Sequence, residues 1–203
     1  VTRHLMRSDL IDMGERFGFN RQVPFDAAKV ATGKLHVPFS DLDFARTAAG
    51  FRGSTLGVLG AIELAAIVAS GGRTLPLRIL DEPHTIKPTR VIHASTANEL
   101  RKMMEVTVHS GTSFDAFTDD DKRPYLPGIR VAGKTGTLQP DAKDATASWF
   151  VGFAPSRSPE IVVGVLLLNG KVWRQRANEL ARDVLRVYFL ARGRRGIEDP
   201  LQR

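Results

Sequence analysis

Apolar and polar positions follow two different periods along this chain, and the change of period divides it. In STANELRKMMEVTV, Leu100, Met103, Met104 and Thr107 recur at helical spacing. Thr96 and Glu99 have the separation of a capping box, so the pattern predicts a helix that starts there and ends at Gly111. Upstream, STLGVLGAIELAAIVASGG is small and apolar almost throughout. Leu59, Ile62, Leu64, Ala66 and Ile67 make no narrow stripe, which predicts a helix buried on most sides and stopped by Gly71 and Gly72. LIDMGERFGFN reads as a helix end running into a glycine turn. Residues 21–40 carry Pro24, Gly33 and Pro38 and read mostly as loop. Residues 76–88 read as irregular or extended, and FTDDDKRPYLPG as a solvated polar loop.

The last third switches to strands. IRVAGKTGTL, ASWFVGFAP and EIVVGVLLLN are apolar runs separated by turn residues. The gap PSRSP suits a hairpin, and Asn169-Gly170 closes the third run. Trp149 and Phe150, adjacent on a strand, must point to opposite faces and are expected to pack against helices. Ala177, Leu180, Ala181, Val184, Leu185 and Tyr188 then predict a final helix. Helices followed by a three-stranded antiparallel sheet and a C-terminal helix make an α+β domain.

Composition bounds this picture without changing it. A chain of 203 residues with 42% hydrophobic and 25% charged residues forms one domain with a real core. No apolar run approaches the ~20 residues that span a bilayer, and VTRHLMRSDL lacks the apolar centre of a signal peptide. The first residue is valine, which suggests either a mature fragment or a cloned piece, so that an anchor or address could have been removed. With no cysteine, disulfides and thiolate metal sites are excluded. The net charge of +7 is scattered except in ARGRRG, and no aromatics interleave with the arginines, so nucleic acid is not an expected partner. The five histidines show no metal-ligand spacing, and Asp119, Asp120 and Asp121 read as a solvated run; no metal and no cofactor is expected.

The chemistry concentrates in VAGKTGTLQP. Lys134 lies on a strand that is otherwise small and hydroxylated. Gly133 and Gly136 would let another backbone approach, Thr135 and Thr137 supply hydroxyls, and an extended peptide could add along the strand. A lysine on an exposed edge also discourages sheet aggregation, so Lys134 alone decides nothing. Gly128, Gly133, Lys134 and Thr135 match the phosphate-binding pattern G-x-x-x-x-G-K-[ST] literally. That loop must follow a strand and open a helix, whereas Pro124 and Pro127 precede this one and Gly136 and Pro140 follow it.

With VAGKTGTLQ followed by SWFVGFAP, the chain resembles the C-terminal part of a penicillin-binding protein transpeptidase domain, whose signatures are S-x-x-K, S-x-N and K-T-G. DMGERFGF, AAGFRGSTLGVLGAIELAAIVASGG, LRKMMEVTVHSGTS and the terminal strand and helix fall in the family's order, with a class B flavour. Residues 1–203 would then be the C-terminal portion of one such domain. The resemblance implies that Lys134 binds the carboxylate of the substrate or a β-lactam and supports proton transfer. It also implies that Thr135 and Thr137 present hydroxyls, that the Thr137 N–H is half of an oxyanion hole, and that Gly136 keeps the strand open to the peptide.

None of Ser8, Ser40, Ser54, Ser70, Ser95, Ser110, Ser113, Ser148, Ser156 or Ser158 has a lysine three residues on, and no S-x-N occurs. In the family both motifs lie before the region matched here, so the chain alone is expected to be inactive. The implied function is part of a serine D,D-transpeptidase that cross-links peptidoglycan stem peptides and binds penicillin at the periplasmic or extracytoplasmic membrane face. The alternatives are a penicillin-sensing or inactive binding domain of the same fold, or a serine β-lactamase fragment. The implied partners are stem peptide and β-lactams, a membrane anchor in the full-length protein, and a second copy through an exposed strand edge.

Overall fold

A computed structural model describes residues 5–20, 22–23, 30–50, 52–75, 87–139, 145–193 and 200. Its centre is a three-stranded antiparallel sheet of β5 (Ala132–Leu138), β6 (Thr146–Ala154) and β7 (Ile161–Asn169), in the order β5-β6-β7. The register pairs Thr135 with Phe150 and Phe150 with Val165; on the neighbouring rung Lys134 pairs with Val151 and Val151 with Gly164. Directly paired residues share a face. Successive residues therefore feed two separate cores.

One core lies under α6 (Ala177–Ala191). Phe150, Ala154, Val163 and Val165 meet Ala177, Ala181, Leu185 and Phe189 there, joined by Phe117 and Leu126. The other lies under α3 (Val58–Ala69) and α4 (Ala94–His109), where Ala132 and Phe153 pack on Ala65 and Val68, with Leu100 and Met104 alongside. Gly164 lets α3 settle on β7, since a Cβ there would stand 2.7 Å from Cγ1 of Ile62. The stripe-free pattern of α3 is thereby accounted for: Gly60, Ala61, Glu63, Ala65, Ala66, Ile67 and Val68 are all buried, and Gly71 and Gly72, both at positive φ, end the helix.

Three local expectations are corrected. α4 starts at Ala94 with His93 as its cap, and no side chain closes a capping box; Thr96 lies inside the first turn. Val91 and Ile92, buried in the core, fix the start two residues earlier. Its packed line is Ala97, Leu100, Met104 and Val108, which leaves Met103 exposed at 66%. Residues 21–40 are mostly irregular where described, as expected, but carry short pairings: β1 (Gln22–Val23) pairs with β2 (Val30–Ala31), and β3 (Gly33–Lys34) with β4 (Thr55–Leu56). The segment 117–128 is pinned rather than freely solvated. Phe117 and Leu126 are buried, and Tyr125 is stacked by Arg182 at 4.6 Å and Arg186 at 5.0 Å.

The remaining elements are α1 (Arg7–Arg16), α2 (Asp41–Gly50) and the single turn α5 (Phe114–Phe117). α1 runs into the anticipated glycine turn, with Gly18 at φ +98°. Arg7 ties α1 to the start of α2 through the carbonyls of Pro38 and Phe39 and the carboxylate of Asp41. The segment 76–86, residues 140–144 between β5 and β6, and the second half of ARGRRG lie outside the described residues.

Candidate active site

Lys134, Thr135, Gly136 and Thr137 are held on β5 by pairing on one side only; the other edge of the strand has no partner among the described residues. The small residues at its start have a packing reason. A Cβ on Gly133 would fall 2.3 Å from Cζ of Phe150, so the ring occupies the space a side chain would need. This corrects the reading of Gly133 as room for a second backbone. Gly136 differs: its nearest neighbour would be Cβ of Trp149 at 3.3 Å, and little else crowds it.

The pleat separates the candidate side chains. Lys134 lies on the α3 and α4 face with Val151, whereas Thr135 and Thr137 lie on the α6 face with Phe150 and Ser148. Lys134 is exposed and donates from Nζ to the backbone carbonyl of Thr135 at 2.6 Å. Among the described residues no carboxylate pairs with it, so its charge is available to an anion. A ligand lying along the open edge would be flanked by the ammonium on one side and hydroxyls on the other.

Thr135, Gly136 and Thr137 line a cavity of about 360 Å³, completed by Thr112, Ser148, Trp149, Trp173, Arg176 and Asn178. Trp149, expected to pack against a helix, instead forms part of this wall; Phe150, its neighbour, is fully buried under α6. The far wall begins α6. Ser148 Oγ accepts the Ala177 N–H at 3.0 Å, and the Arg176 N–H donates to Glu179 Oε2 at 2.7 Å. Cross-strand from Thr137, Ser148 thus fastens the helix to the strand behind the site.

Sequence reasoning missed Thr112, whose Oγ1 lies 2.7 Å from Oγ1 of Thr135. It also missed Asn178, buried in the first turn of α6 with its Nδ2 donating to Ser113 Oγ at 3.3 Å. A polar residue beside Ala177 and Ala181 on the buried helix face was the available signal. Thr112 gave none, since its contact spans 23 positions. Lys134 and Thr135 lie in mid-strand and open no helix, which removes the phosphate-loop pattern. The Asp119 carboxylate accepts the Arg123 N–H at 2.7 Å and Asp121 pairs with Arg123 at 3.3 Å, so these acids build a turn.

Comparison with known proteins extends the match well beyond this strand. The chain is 26% identical over 172 residues to the peptidoglycan D,D-transpeptidase PbpA of Mycobacterium tuberculosis, covering 79% of this chain and 34% of that protein. It therefore spans about a third of that relative's length. The D,D-transpeptidase domain of a peptidoglycan glycosyltransferase from Eggerthella lenta superposes with a TM-score of 0.70 at 25% identity, over 92% of this chain and 48% of that one. Penicillin-binding protein A of M. tuberculosis, solved as an imipenem acyl-enzyme complex, has the same fold, with a TM-score of 0.69 at 22% identity over 90% of this chain and 42% of the other. The family model for the penicillin binding protein transpeptidase domain matches residues 1–186, from before α1 into α6. A match of that extent takes in every strand and all but the end of the last helix, and on it the chain belongs to the penicillin-binding protein transpeptidase domain family.

Proposed function

We propose that this chain supplies the K-T-G wall of a serine D,D-transpeptidase that cross-links peptidoglycan stem peptides and is acylated by β-lactams. One observation carries the reading. A lysine without a carboxylate partner among the described residues stands on an open strand edge, and its neighbours Thr135 and Thr137 rim a cavity. An ammonium on one face and hydroxyls on the other, meeting at one open edge, are suited to a carboxylate, the group shared by a stem peptide's terminus and penicillin.

In this reading Lys134, Thr135 and Thr137 bind that carboxylate, and Lys134 also supports proton transfer. Gly136 leaves the peptide room to lie along β5. The Thr137 N–H is half of the oxyanion hole that meets charge as it develops on the carbonyl oxygen. The nucleophile is a serine supplied from outside the 203 residues, which with this chain makes up one transpeptidase domain. Its Oγ bonds to the carbonyl carbon, the bond to terminal D-alanine breaks with a proton passing to the leaving amine, and an amine from a second stem peptide then releases the acyl group. The substrate places the complete protein at the periplasmic or extracytoplasmic face of the membrane, held by an anchor. A second copy of the isolated chain is its partner at the edge of β7 that has no strand beside it among the described residues.

The test is the second-order acylation rate of the full-length protein with a labelled penicillin. Lys134→Ala should slow acylation on the order of ten- to a hundredfold, the worth of a charged hydrogen bond. Lys134→Arg should recover only part, because the planar guanidinium differs in shape and proton chemistry. An unchanged Lys134→Ala rate would remove Lys134 from the site.

A further inference from the structure

We propose that Thr112, at the turn after α4, is a positioning residue for Thr135: the paired hydroxyls fix the direction in which Thr135 offers its proton to a ligand carboxylate. This rests on the reading of β5 as the carboxylate-binding strand. The two oxygens are 2.7 Å apart, the preferred distance for a hydroxyl–hydroxyl bond. A threonine hydroxyl has one proton and two acceptor positions. With the site empty, either threonine can donate to the other. A carboxylate only accepts, so its arrival claims the Thr135 proton. Thr112 must then donate to Thr135, and the chain runs Thr112 to Thr135 to carboxylate. A hydroxyl that accepts one hydrogen bond donates a stronger one. Without Thr112, the Thr135 hydroxyl is free to turn to water or to its own backbone.

The arrangement around Thr112 is built to hold it there. Ser113, the next residue, is fully buried. Its N–H donates to the Thr107 carbonyl at 2.9 Å and its carbonyl accepts the Phe117 N–H at 3.2 Å. Its Oγ accepts from Asn178 Nδ2, and Asn178 Oδ1 in turn accepts the Glu179 N–H at 3.1 Å. The end of α4 is thereby tied to the first turn of α6. On the other side of the pair, Thr135 is half-buried on β5, with Phe150 as its cross-strand neighbour. Thr112 is itself exposed and lines the same cavity as Thr135 and Thr137, so it lies where a ligand's polar end would be read.

The experiment is a double-mutant cycle in the full-length protein, read as acylation by benzylpenicillin and by the same drug with its carboxylate esterified. Thr112→Val keeps the branched shape and removes the hydroxyl. It should lower acylation efficiency by benzylpenicillin by about three- to tenfold, one neutral hydrogen bond, with the loss in the binding constant rather than in the maximal rate. Thr112→Ser should restore it. The ester should acylate at the same slow rate with either residue, an outcome that a merely structural role for Thr112 would not produce. Thr135→Val should cost a similar factor, and the double variant no more than Thr135→Val alone. Should Thr112→Val melt early, Thr112→Ala is read in its place. Losses that multiply in the double variant, or a loss shared equally by the ester, would overturn the proposal. A benzylpenicillin rate unmoved by Thr112→Val while Lys134→Ala slows it overturns the positioning role alone. If Lys134→Ala is silent as well, the reading of β5 fails with it.

Discussion

Gly133 and Gly136, three positions apart on one strand, answer to different neighbours. Phe150 fills the space over Gly133, whereas Gly136 faces only the base of the Trp149 side chain, Cβ at 3.3 Å and Cγ at 3.9 Å. Gly133→Ala should therefore destabilise the fold by about 1–3 kcal/mol, the usual cost of overpacking a full core. Gly136→Ala should leave stability within about 0.5 kcal/mol. Urea denaturation of both variants checks this; equal losses would mean that the ring can move aside. Lys134 and its flanking threonines were legible as a motif because their types and spacing are local. Thr112 and Asn178 were not, because their partners lie far along the chain and the contact exists only once α4, β5 and α6 have docked. The glycine pattern was legible, but its cause was not: an absent side chain looks the same whether a ligand or a core ring takes the space.

At the scale of the element, the periodic segments were the readable ones. α3, α6 and the three strands declare themselves through long apolar runs and clear turn residues. α2 went unread because DLDFARTAAG is short, and of its residues only Phe44 and Thr47 are buried. The start of α4 was misplaced because a capping signature competed with the anchoring of Val91 and Ile92, and the core decided. β7 carries the boldest expectation. It pairs with β6 alone among the described residues, and Leu168 near its end is 71% exposed. An apolar strand with an open edge is a template for another chain. The isolated chain should dimerise or aggregate through β7, and Leu168→Lys should reduce this, as seen by light scattering over a concentration series. A monodisperse monomer at high concentration would refute it.

At the scale of the molecule, the family's site is present in part. Among all 203 residues no serine has a lysine three positions on, and acyl transfer needs a nucleophile with a base beside it. Thr135 and Thr137 do not substitute, because the pleat places them on the face away from Lys134. Intact-mass spectrometry of the isolated chain after long incubation with benzylpenicillin should show no shift by the mass of the drug. An adduct mapped to any of its residues would contradict the assignment of the nucleophile to another segment. The two-sided sheet has a further consequence, for synthesis. α3 is apolar nearly all round, yet the strands that cover it come at residues 146–169. A ribosome delivers residues one at a time, at about 5–20 per second. The nascent chain must carry the sheet-facing side of α3, with Ala65 and Val68, without its covering strands until β7 is translated. The strand that carries Lys134 and the strands that cover one side of an earlier helix thus emerge in one stretch of synthesis, and until then α3 has only α4 and its nearer neighbours in the chain to lean on.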